Sequence, residues 1–343
     1  MTRRSKKKRR EASRRSARWL LILAVLVVFV AAAVLGRKRP DLSVEPILPA
    51  VTYDSGMRLL ADLRVDEAER TFSAVLKTHP ESQRARHELR WLYFKQFRHH
   101  ELEALLEQGL RIEPYDFPLA VALRMSEFRP QNPREVLGNW ERANHRQPDQ
   151  PKVLAALGRC YSRIGEIDKA KRAFQSALDL APDDSLIRLR VLEFLIESAE
   201  WASAEELLAS VSEDTDRPDA ADVYQDQMSW IRSLLAEQRG ELDEALQHIE
   251  QALQPKPKEL AYVQRRGALL QLLGRGEEAA DCFATANQLE THVGRLTAIV
   301  LSGDLEHPTP ALCREVSELC QQRGKQLQAE TWKRATIQVE ALE

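Results

Sequence analysis

The sequence predicts an all-α chain: one membrane-spanning segment at the N-terminus, then a solenoid of stacked helical hairpins. Three observations predict this. Residues 19–35 carry no charge and no side-chain amide. Pro80, Pro114, Pro148 and Pro182 follow one another at one constant interval. The composition favours helices, because Ala, Leu, Glu, Arg and Gln dominate and β-branched runs are scarce.

The N-terminal segment comes first. Residues 1–39 hold 13 Lys/Arg and one acid, Glu11. The remaining chain holds 37 basic and 51 acidic residues, so a basic head precedes an acidic body. The acidic body argues against nucleic acid as a partner, since phosphate binding needs a positive footprint. The apolar run is about 25 Å long as a helix, enough for a bilayer core if Arg18 and Arg37 snorkel. It is too long for an ordinary signal peptide and is followed at once by Arg37, Lys38 and Arg39. An uncleaved anchor over 19–36 is therefore the expectation, with a basic cytoplasmic tail over 1–18 and a Pro-containing linker over 37–50. The excess of cations before the span places the N-terminus in the cytoplasm and the body on the extracytoplasmic, periplasmic-type side. The opposite topology stays open.

The body reads as one unit written several times. The recurring prolines set a fixed period, and a fixed period in this size range is a repeat signature. The unit is clearest in "LGRCYSRIGEIDKAKRAFQSALDLAP", Leu157 to Pro182. Gly158 and Ala170 allow two helices to approach. Tyr161 and Phe174 fill the space beside that contact. Gly165 ends the first helix where a left-handed backbone needs no Cβ. Pro182 cannot continue the second helix and starts the turn to the next unit. With Leu157 and Ala177, these residues resemble the tetratricopeptide repeat (TPR) family.

The resemblance covers residues 49–343 and is most complete at 151–184 and 260–293. It implies an α-solenoid of about sixteen helices, wound as a right-handed superhelix of hairpins with a concave groove. Expected boundaries are an N-terminal array over 51–211, a polar connector over 212–225 and a tandem pair over 226–293. A second connector over 294–309 and a last hairpin over 310–343 follow.

Function follows from the groove. No nucleotide-binding, hydrolase or zinc-protease signature occurs. The chain is therefore expected not to be an enzyme and to need no cofactor, metal or small-molecule substrate. "FRHHELE" at 97–103 is the densest ionisable cluster and reads as a solvated helix end. Cys160, Cys282, Cys313 and Cys320 read as buried side chains. The family resemblance implies binding of a protein or peptide along the first helix of each unit. Carried over, those places are Tyr53, Met57, His87, Trp91, Val121, Met125, Lys152, Arg159, Arg163 and Trp230. The Lys/Asn clamp that grips a C-terminal carboxylate in some TPR proteins is absent from the first two units. The expected function is a membrane-tethered protein-interaction scaffold. The alternative is a non-catalytic subunit of a membrane-associated assembly, secretion or transport complex.

Overall fold

A computed structural model describes residues 51–113, 121, 131–210 and 218–341. The expected tail, anchor and linker over 1–50 lie outside the described residues, as does Met125. Among the described residues there are fifteen α-helices and no strand. They run as antiparallel pairs. α1 (Tyr53–Ala61) pairs with α2 (Val65–Thr78), and α3 (Gln83–Lys95) with α4 (His99–Ile112). α5 (Pro133–Arg146) follows and packs on α6. α6 (Pro151–Arg163) pairs with α7 (Ile167–Leu180), and α8 (Ser185–Glu197) with α9 (Trp201–Ala209). α10 (Pro218–Gln238) pairs with α11 (Leu242–Leu253), and α12 (Leu260–Leu272) with α13 (Gly276–Ser302). A 3-10 turn (Asp304–Glu306) leads to α14 (Pro310–Gln322) and α15 (Gln326–Glu340). No described helix is long and apolar enough to cross a membrane.

The helix starts follow from side chains that satisfy free N–H groups. Thr52 and Ser55 form a reciprocal capping box at α1. Asp184 accepts from the N–H groups of Leu186 and Ile187 at α8. Pro133, Pro151 and Pro310 occupy first helical positions, where a missing N–H costs nothing.

One contact recurs inside three hairpins. A Cβ on Gly56 would lie 2.5 Å from the Phe72 ring. On Gly158 it would lie 2.8 Å from Phe174, and on Gly267 3.0 Å from Phe283. The spacing from Gly to Phe is the same in all three. The glycine thus lets the first helix rest against the face of an aromatic on the second.

The hairpin turns carry the period in the backbone. Gly165, Gly240, Gly274 and Gly324 have positive φ at the end of a first helix. Leu63, Phe97 and Ala199 have positive φ too, with values from 56 to 61°. Leu63 and Phe97 stand one repeat period apart, as do Gly165 and Ala199. A left-handed conformation costs a non-glycine residue on the order of 1–2 kcal/mol. The hairpin geometry persists at these turns even where the glycine does not.

Two boundaries differ from the sequence reading. α10 begins at Pro218, inside the expected connector 212–225, because proline suits a first helical position. α13 continues through Ser302, so residues 294–302 of the expected second connector are helix. Leu296, Ile299 and Val300 keep one apolar face there, and Gly303 ends the helix at φ 80°.

The larger difference concerns the groove. A simple solenoid touches only its neighbours in sequence. Here the last hairpin returns to the second, and α15 packs on α4. Leu102, Leu106 and Leu110 form one stripe on α4. They are buried in one cluster with Ala329, Trp332 and Ala335 of α15. Lys325 pairs with Glu103 at the edge, and the Gln328 amide donates to Glu107 at 3.2 Å. Burial of a leucine side chain is worth roughly 1.5–3 kcal/mol, and a partly exposed ion pair about 0–1 kcal/mol. The leucine stripe, not the Lys325–Glu103 pair, holds this closure.

Replacing Gly158 with Ala tests the recurrent contact. Phe174 is buried and cannot retreat, so overpacking of about 1–3 kcal/mol should outweigh a helix-propensity gain of up to about 1 kcal/mol. Denaturant unfolding of G158A should show a net loss of stability. A variant as stable as the parent would refute the close approach.

Candidate functional site

The described residues predicted to line a groove fall into two accessible groups and a half-buried pair. The first group lies on α1 and α3. Tyr53 packs on Phe72 and donates its hydroxyl to Glu88 at 3.3 Å. Met57, one turn further along α1, is 37% exposed. Trp91 is 40% exposed and donates its indole N–H to His87 Nε2 at 3.0 Å. Arg90 and Lys95 lie over the Trp91 ring, and Arg84 lies over Tyr53. The structure therefore brings Tyr53, Met57, His87 and Trp91 to one face.

The second group lies on the first helices of the later hairpins. Arg159 of α6 donates to Glu197 of α8 at 2.8 Å. Arg163 lies over the Phe97 ring, with the guanidinium carbon 4.5 Å from its centroid. Trp230 of α10 stacks on Tyr262 of α12 with centroids 5.3 Å apart, and Arg265 lies over it. Arg265 also pairs with Glu237. These residues make a strip of aromatic and cationic groups on α6, α10 and α12, in which Arg159, Trp230 and Arg265 are half-buried, Arg163 is exposed and Tyr262 is buried.

Lys152 and Val121 go elsewhere. Val121 is partly buried against the cluster that closes α4 onto α15. Lys152 Nζ pairs with Glu69 of α2 at 2.7 Å. That pair opens a chain of alternating charges. Arg98 Nη1 donates to Glu69 Oε2 and Arg98 Nε to Glu101 Oε1, both at 2.7 Å. Arg190 of α8 stands 3.7 Å from Glu101 and donates to Glu193 at 2.8 Å. Glu69, Arg98, Glu101 and Arg190 are all buried. Burial pushes Glu101 up, but Arg98 and Arg190 outweigh it and hold the carboxyl at about 2. A second cluster lies beside this chain. Asp226 accepts from Lys256 at 2.8 Å and from the Tyr262 hydroxyl at 2.9 Å. Lys256 also lies 3.3 Å from His100.

The segment 97–103 is thus not a solvated helix end. Phe97, Arg98 and Glu101 are buried, and His99 and His100 are half-buried. The start of α4 is covered by α6, α8 and α10, which is why its charges need partners. Little in the sequence marks the chain. Its one signal is Arg190, a cation set directly between the apolar Leu189 and Val191. All four cysteines are buried, and none is in a disulfide. Among the described residues no group of three His, Cys, Asp or Glu could hold a metal ion.

The repeat-defining residues take their expected places. Leu157, Gly158, Ala170, Phe174 and Ala177 are buried. Tyr161 donates to Glu141 at 2.8 Å, Gly165 is left-handed, and Pro182 sits in the turn before α8. The sequence 165–226 matches the family model of the tetratricopeptide repeat. That segment carries tetratricopeptide repeats. No curated protein matches it in sequence. Among solved structures it is similar to MamA from Desulfovibrio magneticus RS-1, at 19% identity and a TM-score of 0.40, over 51% of this chain and 95% of that one. It is also similar to PilW, a type IV pilus biogenesis factor, at 15% identity and a TM-score of 0.41 (66% and 94% covered). Pseudomonas aeruginosa pilF gives 15% and 0.41 (68% and 93% covered). At these scores the likeness carries no partner across.

Two substitutions probe the buried charges of this repeat array. Arg98→Met leaves Glu69 and Glu101 without their shared partner and should cost about 3–5 kcal/mol in chemical unfolding. A cost below about 1 kcal/mol would refute a structural role for the chain of charges. His99 supplies the pH test. Burial first, then Arg163, Arg190, His100 and Arg159, depress it from 6.5 to about 4. A depressed pKa stabilises the fold above the ordinary value, and that contribution is lost as pH falls through the folded one. Asp66 works with opposite sign, since burial raises it to about 6. The clean measurement is therefore the difference between parent and His99→Gln. Between pH 6.5 and 4 the parent should lose on the order of 2–3 kcal/mol relative to the variant. Parallel pH curves would remove His99 from the buried set.

Proposed function

We propose that this protein is a membrane-tethered scaffold that holds protein partners beside a bilayer. Residues 19–36 anchor it, the basic tail keeps its N-terminus in the cytoplasm, and the repeat body stands on the far side. A protein or peptide partner lies along the strip from Arg163 and Arg159 to Trp230. The observation that carries this reading is the strip itself. It combines cations with an aromatic stack on the first helices of successive repeats, and such residues dominate binding energy at protein interfaces. The chain brings no catalytic centre of its own to the assembly.

Crosslinking in intact cells, followed by purification of the full chain, tests this. Trp230→Ala together with Arg159→Glu should lower recovery of bound protein at least about tenfold, the effect of losing one interface anchor. Unchanged recovery with a folded variant would refute the strip. Many weakly held partners fit a scaffold, and one stoichiometric partner fits a permanent subunit.

A further inference from the structure

We infer that the face of α1 and α3 is a lipid-contact surface that lies against anionic phospholipid headgroups. This rests on the membrane-tethered reading above, and it concerns residues other than those of the partner strip. The juxtaposition is exposed Trp91 and Met57 among Arg84, Arg90 and Lys95.

The body as a whole is acidic, with 51 carboxylates against 37 cations after residue 39. This face has the opposite sign. Arg90 and Lys95 lie close to the Trp91 ring centre, at 5.5 and 5.8 Å, and Arg84 lies 5.9 Å from that of Tyr53. Its carboxylates are Asp54 and Glu88, and Glu88 is engaged by the Tyr53 hydroxyl. Trp91 is the one tryptophan of the described residues that stands fully in the exposed class. An amphipathic indole ringed by cations suits the headgroup zone, where Trp concentrates and each Lys or Arg is drawn to anionic lipid.

Position supports the same occupant. The face belongs to the first two hairpins, and Val51 beside it is exposed. Only the short stretch 37–50 separates it from the apolar segment. Even fully extended, that stretch reaches at most about 50 Å. A stretch of that length lets the α1–α3 face reach the bilayer surface.

The test uses the full chain carrying Met57→Cys. The four native cysteines are buried, so an environment-sensitive maleimide dye labels position 57. The chain is reconstituted in phosphatidylcholine bilayers with or without phosphatidylglycerol. The expected result is a blue shift of the dye with phosphatidylglycerol and none in phosphatidylcholine alone. Arg84→Gln, Arg90→Gln and Lys95→Gln together should abolish the shift, with far-UV circular dichroism unchanged. Carbonate extraction reports on the anchor separately. A chain lost from the pellet refutes the tether, and its dye is then read after mixing with the same vesicles. No shift with phosphatidylglycerol, or an equal shift in the triple variant, overturns the lipid contact. So does a shift that needs added protein and is the same in both lipids, which would make the face a protein site.

Discussion

The structure depends on a run of alternating charges: Lys152, Glu69, Arg98, Glu101, Arg190 and Glu193. These six side chains come from α6, α2, α4 and α8, with Arg98 at the cap of α4. In a medium of low polarity an unmatched charge is costly, whereas a matched sequence of opposite charges offsets most of its desolvation. The arrangement therefore accepts only one placement of α4 against its neighbours. A sideways slip of one turn would set carboxylate against carboxylate. The apolar clusters on either side supply most of the free energy, and the charges select the register.

Around that fixed helix the repeats are unequal. The three hairpins that keep the spaced Gly and Phe pack by direct helix-to-ring contact. The hairpin of α3 and α4 lacks this pair and is held instead by Leu89, Phe97 and Leu105 on one side and by its leucine stripe on the other. A weak copy of the motif is thus the one that reaches furthest to distant parts of the chain. Sequence decay and long-range packing go together here because local pairing no longer needs every side chain.

The hairpin plan was legible in the sequence. Residues 151–184 announce it through Gly158, Gly165, Phe174 and Pro182, and the constant period extends it to Leu63, Phe97 and Ala199. The helical stretch 294–302 was hidden because Gly303, Pro308 and Pro310 made the whole segment read as a connector, although Leu296, Ile299 and Val300 hold the periodicity. At the site, Tyr53, Met57, His87 and Trp91 could be grouped because a shared place in successive repeats means a shared face. The inner charges could not. Their partners sit on different repeats, and a single chain gives no signal that pairs Glu69 with Arg98 or Glu101 with Arg190.

The docking of α15 on α4 changes how the array carries load. In an open coil, tension at one end must travel through every intervening turn, and each turn stretches in series like a spring. Here a pull at residue 340 meets α4 directly and passes to the hairpins nearest residue 51 by a short route. The molecule should behave as a stiff clasp rather than an extensible coil, and whatever grips one end is mechanically coupled to whatever holds the other.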